Sequence, residues 1–249
     1  MSIITELVNQ ARASHEDQPV SEILIGLHWT MVTSRHTGLA ATNGDAPCCY
    51  SQDIENVGHL QNRSVFELIE LLYSSHPLEV SVGMAALNSI IDYDPATTVE
   101  YNARDLLLEK GNHKNVAIIG HFPFGELLRE KATNLWVLEL NPAPGEFDAS
   151  EAENLLPRAD VIGLTATTLM NGTFENLSRL FPSNALIVMM GPSTPMSSVI
   201  FNYGVEILAG SKVTDSGALS RFIGQGSTLH KVDGLKRITI ARNLNEISA

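Results

Sequence analysis

Small and polar residues follow five short apolar runs in the second half of the chain, where the strands of a parallel sheet would end. The five segments that follow these runs are Gly120-His121-Phe122, Glu139-Leu140-Asn141, Thr165-Ala166-Thr167, Gly191-Pro192-Ser193 and Gly210-Ser211. Each segment contains a glycine or a side chain with oxygen or nitrogen atoms. Open parallel sheets bind ligands at the carboxyl ends of their strands. The sequence therefore predicts a small-molecule site at this edge of a sheet.

Glu139 stands at the end of the second run, where dinucleotide-binding α/β proteins hold ribose hydroxyls with an acidic side chain. This position favours a ribose-bearing ligand such as S-adenosylmethionine or a nucleotide. The alternative interpretation is a solvated carboxylate at a strand end.

The segment Gly191-Pro192-Ser193 precedes a predicted helix from Met196 to Tyr203, which Ser193 or Thr194 could cap. The free N–H groups of such a helix end attract carboxylate or phosphate. A cap without a ligand is the alternative. Thr165, Thr167 and Asn171 add hydroxyl and amide groups that suit the lining of a site for a polar small molecule.

The first strand-to-helix turn, Gly120 to Gly125, lacks the glycine spacing of a dinucleotide site. Phe122 and Phe124 would block a pyrophosphate, and Pro123 removes a backbone donor, so we expect neither NAD nor FAD. His121 could act as an acid, a base or a metal ligand, or only as a hydrogen-bonded structural residue. The sequence contains no recognisable nucleophile elbow and no catalytic triad can be identified in it, so it leaves open whether the protein is an enzyme.

The two cysteines, Cys48 and Cys49, are adjacent, and a vicinal pair is poorly placed for a structural disulfide. As thiolates they could hold a soft transition metal together with His36, Asp45 or His59. Their spacing matches no metal motif, so two loop cysteines without a role is the favoured interpretation.

Composition narrows the class of protein. The 249 residues carry a formal charge of −12 with no basic cluster, which disfavours a nucleic-acid partner. No apolar stretch approaches the length of a membrane span, and the first residues do not resemble a secretory signal. We therefore expect a cytoplasmic protein without a membrane partner. We also expect a homodimer, because twofold-symmetric dimers are the commonest oligomers of soluble proteins.

The first part of the chain predicts a hairpin followed by helices. Alternating apolar residues predict one strand from 23 to 32, with its partner over 35–41. Ser64 and Glu67 form a capping box before an apolar run, and Pro77 fits the first position of a second helix. Together these elements predict an α+β domain over residues 1–95.

After a connector at about 92–115, which contains a predicted helix over 103–110, strands and helices alternate. Alternation of this kind predicts a doubly wound, mainly parallel α/β domain over residues 96–249. The runs 229–232 and 235–241 flank Asp233-Gly234 and predict a hairpin at the end of the chain.

Four segments in this order resemble the putative heavy-metal chelation family, once catalogued as domains of unknown function. Ser81 to Ser89 is similar to the family's G-x-A-A-x-N segment, and Val116 to Pro123 is similar to its V-x-x-x-G-x-F-P strand. Leu156-Pro157 with Asp160, and Gly191-Pro192-Ser193, also stand where the family has them. The resemblance covers most of the chain.

The resemblance implies an N-terminal domain similar to that of enolases, a Rossmann-like second domain, and a site between them. In that arrangement Asn88 would reach the ligand, since its amide can both donate and accept. The alternative is an asparagine that binds nearby backbone. Cys48-Cys49 matches no motif of the family, so no metal ligation is carried over to it.

Three hypotheses for function follow. The leading one is a protein that binds a small anionic or chelator-like molecule and has an indirect role in heavy-metal chelation. If the protein is an enzyme, it also transforms that molecule. The second is direct metal sequestration without catalysis. The third is a methyltransferase-like or nucleotide-dependent enzyme, which depends on Glu139 alone.

Overall fold

The computed structural model describes residues 1–43, 53–94, 97–99, 101–229 and 232–243. The chain divides into two compact units, each built from two segments. The first unit contains Met1–Asp92 and Ser211–Lys236, and the second contains Tyr93–Gly210 and Arg237–Ala249. The single boundary expected near residue 95 thus omits a later segment that groups with the N-terminal one.

The secondary structure alternates along most of the chain. The α-helices are α1 (Ile3–Ser14), α2 (Val65–Ile69), α3 (Pro77–Ile90), α4 (Ala103–Lys110), α5 (Gly125–Lys131), α6 (Ala152–Leu155), α7 (Thr167–Met170), α8 (Phe174–Ser178) and α9 (Ser216–Gly224). The strands are β1 (Glu22–Ile25), β2 (Trp29–Thr33), β3 (Thr37–Ala41), β4 (Thr98–Val99), β5 (Asn115–Ile119), β6 (Asn134–Glu139), β7 (Phe147–Asp148), β8 (Val161–Thr165), β9 (Leu186–Met190), β10 (Ile207–Val213) and β11 (Leu235–Ala241). Short 3₁₀ helices cover Leu60–Asn62, Glu70–Tyr73, Ala149–Glu151, Leu156–Arg158 and Ser198–Tyr203.

The first unit contains a three-stranded antiparallel sheet in the order β1-β2-β3. The single strand predicted over 23–32 is wrong, because a tight turn divides it into two antiparallel strands. The N–H of Gly26 donates to the carbonyl of Trp29 at 2.9 Å and closes this turn. Apolar alternation continues across the turn, so periodicity alone does not detect the break.

The helices of the first unit begin where their caps predict. Ser64 Oγ accepts from the N–H of Glu67 at 3.3 Å, and the Glu67 carboxylate accepts from the N–H of Ser64 at 2.7 Å. This confirms the capping box at the start of α2. Pro77 occupies the first turn of α3, also as predicted.

Helix α9 explains why the later segment belongs to the first unit. Its buried Leu219 and Ile223 pack in one apolar cluster with Met31 of β2 and Leu39 of β3. The hydroxyl of Ser220 also donates to the Glu22 carboxylate at 2.9 Å. The sequence pattern predicts the helix but does not show where it packs.

Within the described residues, an eight-stranded sheet in the order β4-β11-β10-β9-β8-β5-β6-β7 lies almost wholly in the second unit. Its strands from β5 to β10 are parallel neighbours, which confirms the mainly parallel α/β fold. The hairpin predicted at the end of the chain includes residues 230 and 231, which lie outside the described residues. Its second run forms β11, which pairs antiparallel with β4, with Thr239 opposite Val99 and Ile240 opposite Thr98.

Helices α4 and α5 cover the centre of this sheet. Leu107 of α4 and Leu128 of α5 are fully buried in one cluster with Val116, Ile118 and Val161 of the parallel strands. This packing buries one face of β5 and β8 beneath the two helices. Among the described residues, no helix is long and apolar enough to cross a membrane.

Candidate functional site

The order of the parallel strands reverses at β5. From β5 the chain passes to β6 and β7 on one side, then returns to β8 and β9 on the other side. In open α/β sheets the crevice at such a switch point, outside the carboxyl ends of the strands, is where ligands bind. Here that point lies between the ends of β5 and β8.

The two strand ends approach closely at the switch point because Gly120 has no side chain. Gly120 has a φ of +102°, and a Cβ atom there would lie 2.6 Å from Thr165 Cγ2. Its N–H donates to the carbonyl of Leu138 at 3.1 Å, which ties the turn to the neighbouring strand β6. Glycine therefore satisfies both the left-handed backbone and the short distance to β8.

Hydroxyl groups line the β8 side of this point. Thr165 Oγ1 and Thr167 Oγ1 lie 3.0 Å apart, and the N–H of Thr167 donates to Thr165 Oγ1 at 3.3 Å. The buried Thr168 donates to the carbonyl of Thr165 at 2.7 Å. Thr165 and Thr167 are only partly buried, so this pair is accessible to a polar ligand.

Two carboxylates and an imidazole converge on the β6 side. His121 Nδ1 lies 3.3 Å from Glu146 Oε1, while Glu146 Oε2 accepts from the N–H of Ala143 at 2.8 Å. Burial raises the pKa of Glu139 above its ordinary value, and the negative charge of Glu146 raises it further. The N–H of Leu140 and the nearby His121 lower this pKa in part. The group is therefore an acidic pair with one exposed imidazole beside it.

Sequence reasoning does not single out Glu146, although its side chain is only 12% exposed and contacts His121. It directly precedes β7, whose Asp148 lies opposite Glu139 in the parallel register. The signal in the sequence is the turn Pro142 to Gly145, which returns the chain to the edge it has just left. Only strand pairing shows that the return is beside β6.

The helix expected from Met196 begins later, so neither Ser193 nor Thr194 caps it. A 3₁₀ helix of six residues begins at Ser198, and its cap is Ser197, whose Oγ accepts from the N–H of Val199. Ser193 is buried and precedes this helix by five residues. Thr194 is also buried, and its hydroxyl has no hydrogen-bond partner among the described residues.

The remaining predicted residues differ in what they do. Phe122 packs against the core of the second unit, with its ring centroid 5.4 Å from that of Phe124, and Asn141 is exposed. Asn171 accepts from the N–H and the hydroxyl of Thr173 at 3.1 and 2.7 Å, which closes the turn between α7 and α8. Gly191 has a φ of +119° and, with Pro192, follows β9.

Asn88 lies in the first unit, on α3. Its Nδ2 donates to the carbonyl of Leu39 in β3 at 2.9 Å, so its amide joins the helix to the small sheet. This contact corresponds to the alternative interpretation, in which the amide binds nearby backbone.

A metal centre of three or more protein ligands does not fit the part of the chain that the structure describes. No three His, Cys, Asp or Glu side chains within it are grouped so that they could hold a metal ion. Cys48, Cys49 and Asp45 of the proposed thiolate site lie outside the described residues.

Comparison with known proteins gives one curated relative at low identity. An uncharacterised protein of Methanocaldococcus jannaschii is 25% identical over 163 residues. The match spans 62% of this chain and 62% of the length of that relative.

Two crystal structures of proteins of unknown function share the fold across nearly the whole chain. One, from Desulfitobacterium hafniense, has a TM-score of 0.79 at 22% sequence identity, and the match covers 96% of this chain and 99% of the other. The second, from Pyrococcus horikoshii, has a TM-score of 0.81 at 23% sequence identity, and the match covers 96% of this chain and 100% of that protein. Both are members of the DUF364 family, and they support the two-domain α/β architecture.

Two family models match the sequence, and both carry the description putative heavy-metal chelation. One covers residues 8–91 and the other covers residues 102–242. The matches confirm the resemblance seen in the four sequence segments. This chain therefore belongs to the putative heavy-metal chelation family.

Proposed function

We propose that the protein binds a small chelator together with its metal ion at the switch point of the large sheet. The observation that supports this proposal is the convergence of Glu139, Glu146 and His121 beside the crevice between β5 and β8. Thr165 and Thr167 supply hydroxyl groups on the opposite side of that crevice. The metal is cargo in this proposal, and the chelator supplies its ligands.

The charge of the site favours a metal-loaded chelator over a free one. Burial raises the pKa of Glu139 most, and repulsion by Glu146 raises it further, so a free polycarboxylate would add to that repulsion. A chelator that holds a divalent cation carries less negative charge. Water molecules on its metal would also donate charge-assisted hydrogen bonds to the two carboxylates.

The test is isothermal titration calorimetry with Ni²⁺ alone, citrate alone and the Ni²⁺–citrate complex. Iminodiacetate and histidine serve as second and third chelators of different charge. We expect the complexes to bind more tightly than free chelator, and Glu146→Gln to weaken them about tenfold, the effect of one lost charge-assisted hydrogen bond. Glu130→Gln is the matched control, because Glu130 is an exposed carboxylate on α5 of the same unit.

Two other outcomes would replace the proposal. Tight binding of Ni²⁺ alone, lost in a Cys48→Ser, Cys49→Ser variant, would instead support direct sequestration of metal. Binding of S-adenosylmethionine or AMP that is lost in Glu139→Gln would favour a ribose-bearing ligand. No binding of any chelate complex would contradict the proposal itself.

A further inference from the structure

A cavity lies at the amino ends of the strands of the large sheet, opposite the switch point. It has a volume of about 400 Å³, which is within the range of small-molecule sites. Its lining includes Ala185, which directly precedes β9, and Glu206, which directly precedes β10. Arg242 follows β11, and its N–H donates to the carbonyl of Glu206 at 2.8 Å. This hydrogen bond joins the end of β11 to the start of β10.

Two arginines and one glutamate are among the residues that line this cavity. The cations are Arg179 and Arg242, and the carboxylate is Glu206. Within the described residues the side chain of Arg242 has no ion-pair or hydrogen-bond partner, and that of Arg179 has only a 3.4 Å contact with Asn176 Oδ1. In a chain with a formal charge of −12, two arginines that have no carboxylate partner among the described residues favour the binding of an anion.

Aromatic rings form another part of the lining. Phe181 and Tyr203 are both partly exposed in the cavity, and both pack against Phe174. The ring centroids lie 6.4 Å apart for Phe181 and 5.8 Å apart for Tyr203. Phe174 is only 1% exposed, so it holds the two outer rings in place. Rings fixed in this way offer apolar surface to a planar group.

We propose that this cavity binds a small anion that carries an aromatic ring, with a size up to that of a nucleoside monophosphate. The phosphate or carboxylate binds Arg179 and Arg242, since guanidinium groups match the geometry of both anions. The ring packs on Phe181 and Tyr203, and Glu206 accepts from a hydroxyl or amino group of the ligand. The site is separate from the chelator site at the carboxyl ends of the strands.

The test is calorimetric titration of the full chain with AMP, 4-hydroxybenzoate, adenosine and inorganic phosphate. AMP and 4-hydroxybenzoate distinguish a phosphate from a carboxylate ligand, and the other two probes carry only the ring or only the anion. We expect one equivalent of AMP or 4-hydroxybenzoate to bind at least about tenfold more tightly than adenosine and phosphate.

Arg179→Ala and Arg242→Ala should each weaken that binding about tenfold, since each removes one charge-assisted contact. Arg237→Ala is the matched control, because Arg237 is an exposed arginine of β11 outside the lining. Its binding should equal that of the unaltered chain. Phe181→Leu should weaken AMP binding and leave the affinity for inorganic phosphate unchanged.

Three results would overturn the proposal. The first is the absence of saturable binding of both AMP and 4-hydroxybenzoate up to about 5 mM. The second is an affinity that Arg179→Ala and Arg242→Ala leave unchanged. The third is an equal loss in Arg237→Ala, which would show attraction by overall charge rather than a site. Thermal unfolding of each variant confirms that it is folded.

Discussion

Gly120 decides how closely β5 and β8 approach at the switch point. An alanine there would have an unfavourable left-handed backbone and a Cβ atom 2.6 Å from Thr165. We expect Gly120→Ala to lower the free energy of unfolding by about 1–3 kcal/mol. Urea denaturation followed by circular dichroism measures this change.

Gly125 is the matched control in the same turn. It begins α5, and an added Cβ atom would meet nothing within 4 Å. Gly125→Ala should therefore leave stability unchanged or raise it by about 0.5–1 kcal/mol, since alanine favours helix. Equal stability of Gly120→Ala and Gly125→Ala would contradict the close approach.

Glu139 makes stability depend on pH in a defined direction. Its pKa is raised in the folded protein, so folding favours the protonated carboxyl, and this contribution is lost as pH rises through the folded pKa. Glu139→Gln keeps the shape of the side chain and removes the charge. We expect it to raise Tm by about 1–2 °C at pH 7. The difference should disappear below about pH 4, where the glutamate is protonated in both states.

Differential scanning fluorimetry between pH 4 and pH 8 measures this difference. Glu130→Gln serves as its control, since Glu130 is an exposed carboxylate on α5 of the same unit. A Tm difference for Glu139→Gln that grew as pH fell would contradict the assignment.

Individual site residues could be predicted from the sequence where they follow apolar runs along the chain. His121, Glu139, Thr165 and Thr167 all lie beside the switch point on this basis. Glu146 could not be predicted, because its place beside Glu139 depends on pairing between β6 and β7. Local patterns identify the ends of strands, whereas neighbours within a sheet depend on the whole fold.

At the level of elements, β3 and α3 pack together through their backbones at Gly38. A Cβ atom there would lie 2.1 Å from the carbonyl oxygen of Ala85 and 2.3 Å from the nitrogen of Ser89. Backbone atoms cannot change rotamer as side chains do, so the strand and the helix would have to move apart. We expect Gly38→Ala to destabilise the protein by about 2–4 kcal/mol, measured by chemical denaturation.

Gly224 provides the control for this substitution. It ends α9 in the same unit, and an added Cβ atom would have nothing within 4 Å. Gly224→Ala should change stability by less than about 1 kcal/mol. A similar loss in both variants would show that backbone contact at Gly38 is not the cause.

Element types were easier to predict than their partners. The capping box before α2 and Pro77 at the start of α3 depend only on neighbouring residues, and both are present. The turn at Gly26 interrupts a pattern that remains alternating, and β11 pairs with a strand more than a hundred residues earlier. Periodicity contains no information about either feature.

At the level of the whole molecule, the chain leaves the first unit after Asp92 and returns to it at Ser211. The family model over residues 102–242 therefore includes a segment that packs with the N-terminal unit. Alternating strands and helices predict one continuous second domain, because local patterns cannot show that α9 covers the small sheet.

Hydrogen exchange can test whether the two units have separate cores. Leu219 of α9 is fully buried against Met31 and Leu39, so Leu219→Ala should destabilise the first unit by about 2–4 kcal/mol. Faster amide exchange should then appear in β2 and β3, although they lie far away in sequence. The matched control is Leu128→Ala, since Leu128 is equally buried in the second unit. It should accelerate exchange in β5 and leave β2 and β3 protected. If both variants accelerate the same strands, the chain unfolds as one cooperative core and the two units are not independent in stability.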